Sequence, residues 1–132
     1  MGRNILLITT DQQRYDGLGC NGGRIARTPV IDKLAAAGIT YRQARNQCAV
    51  CMPARATILT GRHVRTHGVT SNGIPLPADH PSAAHELKRH GYKTVLIGKA
   101  HFEPHAARDF FENVAAGQGS MFCIRLRRPK CV

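Results

Sequence analysis

The chain has 132 residues, of which 19 are basic and 8 acidic, for a formal net charge of +11; this length fits one domain and is too short for two substantial cores. Leu, Ile, Val and Phe supply 29 of the residues, enough for a thin core, and no apolar stretch approaches the roughly 20 residues of a membrane-spanning helix. The charge taken alone points to nucleic acid, a membrane surface or an anionic substrate, but Arg125, Arg127, Arg128 and Lys130 stand in the last twelve residues, so part of the excess belongs to a tail.

Asn4 to Thr9 is a continuous aliphatic run that predicts a buried strand. Its C-terminal end delivers Thr10, Asp11 and Gln12, and in open α/β sheets that end is where ligands bind. The run is too short for a secretory signal. Gly17 to Gly23 reads as a loop. Thr28-Pro29 followed by Val30, Ile31, Leu34 and Ala35 gives an N-cap, an N1 proline and helical spacing, closed by Gly38. Ile39 to Gln43 predicts a second strand.

From Cys51 the sequence predicts a helix, with Pro53 in its first turn and Gly61 at its C-terminal cap. Residues 63–81 read as a long irregular loop, of the kind that is functional or disordered. Ser82 to His90 predicts a short helix closed by Gly91, and Tyr92 to Ile97 a strand that ends in Gly98-Lys99-Ala100-His101. Ala106 to Ala116 predicts one more helix, with Phe110, Phe111 and Val114 on its apolar face. The alternation argues for an α/β fold with a mainly parallel sheet flanked by helices. Residues 121–132 contain no acid, Gly or Ala. The expected organisation is therefore a domain portion over 1–120 and an anomalous basic tail over 121–132, as a shifted reading frame would produce.

Three pieces carry chemistry: Thr10-Asp11-Gln12 after the first strand, Cys51-Met52-Pro53-Ala54-Arg55 running on to Thr60-Gly61-Arg62, and Gly98-Lys99-Ala100-His101 after a later strand. In this order they resemble the sulfatase signature, and over roughly residues 4–120 the chain is similar to the N-terminal portion of a sulfatase, within the alkaline-phosphatase superfamily. The resemblance implies an alkaline-phosphatase-type α/β fold and sulfuric ester hydrolysis. It implies that a separate formylglycine-generating enzyme oxidises Cys51 to formylglycine, whose hydrated aldehyde supplies a metal-bound hydroxyl nucleophile. An anionic ester repels nucleophiles, so such a site needs a cation and hydrogen-bond donors.

By the same resemblance Cys51, Arg55, Lys99 and His101 are the catalytic set, and Asp11 with the modified Cys51 holds a divalent metal. Ca²⁺ is expected, with Mg²⁺ or Mn²⁺ as the alternatives. Lys99 and His101, two apart on an extended segment, are expected to point the same way. Gln12 and Asn72 are the substrate-contact candidates, for a small-molecule sulfate ester. Gln12 departs from the pattern: many sulfatases carry a second aspartate there, and relatives acting on phosphonate or phosphate esters carry Asp-Gln. That keeps a phosphonate or phosphate ester hydrolase as the alternative. The family's second metal-ligand pair falls outside this sequence, so the isolated chain is expected to bind metal weakly and to turn over little.

Two other function classes compete. Cys48-Ala-Val-Cys51 is a Cys-x-x-Cys at a helix start, which fits thiol redox chemistry or half a zinc site, but Cys123 and Cys131 do not supply the other half. A basic nucleic-acid-binding module fits the charge, yet the chain has no Trp, 3 Tyr and 4 Phe, and no helix-turn-helix, zinc-finger or RNA-binding signature. Neither a specific nucleic acid nor a membrane is expected as a partner. The 5 cysteines, odd in number and irregularly spaced, do not form a disulfide framework and point to a reducing, cytoplasmic setting.

Overall fold

A computed structural model describes residues 4–99, 101, 110, 111, 113–116 and 121–127, the last two segments as backbone strands. They fall into two compact units, one of Met1–Thr10 with Asn46–Val132 and the other Asp11–Arg45.

In the larger unit a four-stranded sheet is built from β1 (Ile5–Thr10), β2 (Lys93–Gly98), β3 (Asn113–Ala116) and β4 (Met121–Arg127), in the spatial order β1-β4-β2-β3. β2 and β3 are parallel, while β4 runs antiparallel to both β1 and β2. β1, β2 and β3 therefore share one direction, but the pairings are mixed rather than mainly parallel. The cause lies in the connection. A strand that returns in the same direction needs a crossover of about a dozen residues, and only four residues separate Ala116 from Met121, so β4 runs opposite to β3 on the far side of β2. The segment set apart by its composition thus supplies an inner strand.

Among the described residues this unit has the helices α2 (Cys51–Thr60), α3 (Val64–His67) and α4 (Ala83–Arg89), numbered after α1 (Pro29–Ala37) of the smaller unit. α4 starts where the sequence places it, because the Ser82 side chain accepts the His85 backbone N–H at 3.1 Å. α4 packs on β2, and α2 packs on α3 and α4. Their contact holds the core of Met52, Ala56, Leu59, Val69, Leu76, Ala84, Leu96, Phe110 and Phe111, with Ile74, Leu87 and Tyr92 against it. The His85 and Phe110 rings meet at 4.7 Å between centroids. Val69 and Leu76 show that the stretch 63–81 is neither wholly irregular nor loose: it contains α3 and gives two side chains to the core.

Three sequence expectations need correction. β1 is not buried: Leu6 is 58 % exposed and Ile8 53 %, because α4 covers β2 and, among the described residues, no helix lies on β1. Asn113–Ala116 is strand rather than helix; pairing of Leu96 with Val114 beside β2 satisfies backbone groups that local helical spacing cannot override. The rest of that expected helix, apart from Phe110 and Phe111, lies outside the described residues. Ile39 to Gln43 forms no strand and turns at Arg42 and Gln43, since no partner strand exists within residues 11–45.

The smaller unit consists of short 3-10 turns at Tyr15–Gly17 and Gly19–Asn21 and of α1 (Pro29–Ala37). Thr28 stands at the N-cap and Pro29 at N1, as the sequence reads, but the hydroxyl does a different job. It accepts the Gly19 N–H at 2.8 Å and donates to Asp32 Oδ1 at 2.9 Å, and that carboxylate also accepts the Cys20 N–H at 2.6 Å. The glycine loop is thereby tied to α1 by polar bonds, while Val30, on the helix, is 80 % exposed.

Candidate active site

The larger unit holds Cys51, Arg55, Lys99 and His101, the first two on α2. Cys51 is its first residue and is partly exposed. Val50 at the N-cap contributes no side-chain bond, so the first-turn amides need partners from elsewhere. Asn72 provides one: its Oδ1 accepts the Met52 backbone N–H at 3.1 Å, and the next residue, Gly73, donates its N–H to Met52 Sδ at 3.1 Å. Pro53 has no N–H to satisfy. Asn72 therefore spends its carbonyl oxygen on holding the turn that carries Cys51, a role the sequence reading, which made it a substrate contact, did not contain.

Behind this turn α2 is buried almost all round, from Met52 through Thr57 and again at Leu59. Arg55, one turn after Cys51, is 9 % exposed, and its Nη1 donates to the Lys99 carbonyl at 2.8 Å. That bond joins the Cys51 and Lys99 motifs, 44 positions apart. The guanidinium-bearing side chain thus sits one turn into the helix whose N-terminal dipole end carries Cys51.

β1 and β2 end at the same edge of the sheet, Thr9 and Gly98 both lying opposite Phe122. Lys99 leaves from that edge, after Gly98 at φ 96°. His101 has φ 50°, so the two do not lie on one extended segment and the alternation argument for their shared direction fails. A left-handed φ at a residue with a Cβ costs about 1–2 kcal/mol and collects at functional sites. Among the described residues, the non-glycine positions with positive φ are His101 and Gln12, both members of the strand-end motifs. The His101 Nδ1 is buried with no hydrogen-bond partner among the described residues, a polar atom of the kind that a bound group satisfies.

Asp11 and Gln12 belong to the smaller unit, Asp11 half-buried and Gln12 exposed. A hard divalent cation takes six or more oxygen ligands. Among the described residues no three His, Cys, Asp or Glu side chains cluster, so these residues do not by themselves fit a cation cage. Nearby in sequence, the exposed Arg14 and Asp16 pair at 2.6 Å; their bond raises the guanidinium pKa and lowers the carboxyl pKa.

Sequence reasoning missed a buried polar node under α2. The Val69 backbone N–H donates to His67 Nδ1 at 3.1 Å, which fixes the ring proton on Nε2, and Nε2 donates to Thr57 Oγ1 at 3.0 Å. His67 is 1 % exposed, and burial first, then the charge of His80, lowers its pKa. No spacing rule signals such a node, because Thr57 and His67 meet only through the packing of α3 on α2.

A family model described as Sulfatase matches residues 3–124. The chain is 41 % identical over 109 residues to human Arylsulfatase D, covering 74 % of this chain and 18 % of that protein. It is 33 % identical over 132 residues to an Arylsulfatase of Clostridium perfringens, covering 98 % and 27 %. To the Multifunctional alkaline phosphatase superfamily protein PehA of Trinickia caryophylli it is 38 % identical over 101 residues, covering 73 % and 20 %. The chain thus spans about a fifth to a quarter of the length of these relatives.

Proposed function

The chain belongs to the sulfatase family, and from that premise we propose that residues 51–101 carry the nucleophile-bearing part of a sulfuric ester hydrolase site. The observation that supports this most is the bond from Arg55 to the Lys99 carbonyl, which draws two family motifs to one place. Cys51 is the nucleophile precursor; once converted to formylglycine, its hydrated aldehyde would supply a hydroxyl able to attack an esterified sulfur. The first turn of α2 directs its positive dipole end toward that residue. Arg55 and Lys99 supply cationic charge for the equatorial oxygens of a tetrahedral anion. His101, whose Nδ1 is buried without a partner among the described residues, is the candidate to hold or give a proton at the leaving oxygen. Asn72 acts on the nucleophile through the Met52 amide. Asp11 is assigned to a divalent cation, Ca²⁺ first, on family likeness, and the formylglycine-generating enzyme is the maturation partner.

Likeness to a protein described as a multifunctional member of the alkaline phosphatase superfamily, together with Gln12 in place of a second carboxylate, favours phosphonate or phosphate esters as the second reading. The test is production of the 132-residue chain together with a formylglycine-generating enzyme, then mass mapping of every cysteine peptide. Cys51, and no other cysteine, is expected to exchange sulfur for oxygen with loss of two hydrogens. The product is then offered an aryl sulfate, an aryl phosphate diester and an aryl phosphonate with added Ca²⁺. Turnover is expected to be small, to favour the sulfate and to vanish in Cys51→Ala. A Cys51 that stays a thiol sinks the reading, and preference for the phosphonate selects the alternative.

A further inference from the structure

The hydrolase reading uses Cys51 and leaves Cys48 without a role. We propose that Cys48 and Cys51 close an intrachain disulfide that withholds Cys51 from conversion to formylglycine, so that oxidation gates maturation of the site; this rests on Cys51 being the nucleophile precursor. Both thiols are free and partly exposed. The chain bends at Ala49 and Val50, which shortens the span between two Cα atoms that a disulfide needs within about 7 Å. Cys48 Sγ is turned toward the start of α2, where it accepts the Val50 backbone N–H at 3.4 Å. Val50 immediately precedes Cys51, so this sulfur faces the part of the chain it would bridge to.

The two partners differ in how firmly they are held. Cys51 is fixed by a buried helix and by the bond from Met52 N–H to Asn72. Asn46, Gln47 and Ala49, around Cys48, are exposed. Adjustment to disulfide geometry therefore falls on the Cys48 side, leaving α2 and the Arg55 bond in place.

The oxidant is a low-molecular-weight disulfide such as oxidised glutathione. One cysteine thiolate attacks it, its S–S bond breaks, and one small thiol leaves, giving a mixed disulfide. The second cysteine thiolate then attacks the protein sulfur, the Cys48–Cys51 bond forms and the second small thiol leaves. Two electrons pass from the cysteine pair to the small disulfide, and the two thiol protons go to the two released thiolates. A neighbouring thiol acts at high effective concentration, so the intrachain bond forms under conditions too reducing for a mixed disulfide to persist.

The test equilibrates the purified 132-residue chain in glutathione mixtures, quenches with an alkylating agent and maps the cysteine peptides. At about tenfold excess of reduced over oxidised glutathione, a Cys48–Cys51 peptide lighter by two hydrogens is expected, reversed by dithiothreitol. Exposure of that sample to a formylglycine-generating enzyme should give several-fold less conversion at Cys51 than the fully reduced chain. Cys48→Ser, whose hydroxyl can keep the Val50 bond, should convert equally well in both mixtures. Two alkylated cysteines across the whole range of mixtures overturn the proposal without any variant, as does equal conversion of reduced and oxidised wild type. Failure of the fully reduced chain to convert sinks the formylglycine reading, and the gating with it, whether or not the linked peptide forms.

Discussion

Acid should loosen this protein through a single ring. His67 is 1 % exposed, and its Nδ1 accepts a backbone N–H from Val69, so a second proton has nowhere to go without setting two donors face to face. The fold therefore holds the neutral ring and lowers its pKa below the ordinary value of about 6.5. For a depressed histidine the unfolded chain binds the extra proton first. The contribution is complete above the unfolded value and is lost as pH falls through the folded one. One proton limits the slope to about 1.4 kcal/mol per pH unit, and forfeiting the Val69 bond with a buried donor left over costs about 1–3 kcal/mol. Because the slope acts only below an unfolded value of about 6.5, a loss of up to about 2 kcal/mol between pH 7 and pH 5 follows, read from urea unfolding at each pH. His67→Gln, which cannot take up a proton, should begin less stable and show a shallower pH dependence, so that the difference isolates this ring from the general repulsion of a basic chain. Equal slopes in the two proteins, or a wild type that gains stability on acidification, would refute the reasoning.

Other expectations test the supports of α2. Asn72→Ala removes the acceptor for the Met52 N–H and should cost about 1 kcal/mol in urea unfolding, while Asn72→Asp, able to accept the same bond, should recover most of it. Gly61 closes α2 at φ 66° and donates its N–H to the Thr57 carbonyl at 2.8 Å; Gly61→Ala should cost about 1 kcal/mol by the same measurement. Leu96, fully buried where α4 meets β2, should cost about 2–5 kcal/mol as Ala, enough to leave little folded protein by circular dichroism.

What the sequence made legible was set by local chemistry. Gly61 and Gly91 do close helices in left-handed conformations, φ 66° and 78°, and Ser82 caps α4, because these choices are decided within a few residues. Burial was not legible in the same way. Ile5 to Ile8 have the composition of an inner strand, but burial depends on which element comes to lie over them, and periodicity carries no such information. Asn113 to Ala116 became strand for the same kind of reason, a long-range pairing beside β2. In the site, residue identities were readable from motif spacing, while the jobs of Asn72 and of the Arg55 guanidinium appeared only with their partners, Met52 and Lys99.

The place of β4 bears on how the chain reaches this state during synthesis. Among the described residues β1 is hydrogen-bonded only to β4, with Ile5 opposite Leu126, so β1 finds its partner in a strand far along the chain. Contacts of such long sequence separation form slowly. Until β4 leaves the ribosome, Ile5, Leu6, Leu7 and Ile8 present an unpaired aliphatic edge to every other nascent chain. The yield of soluble protein should accordingly depend on translation rate and on chaperones that shield the N-terminus far more than on the stability of the finished fold.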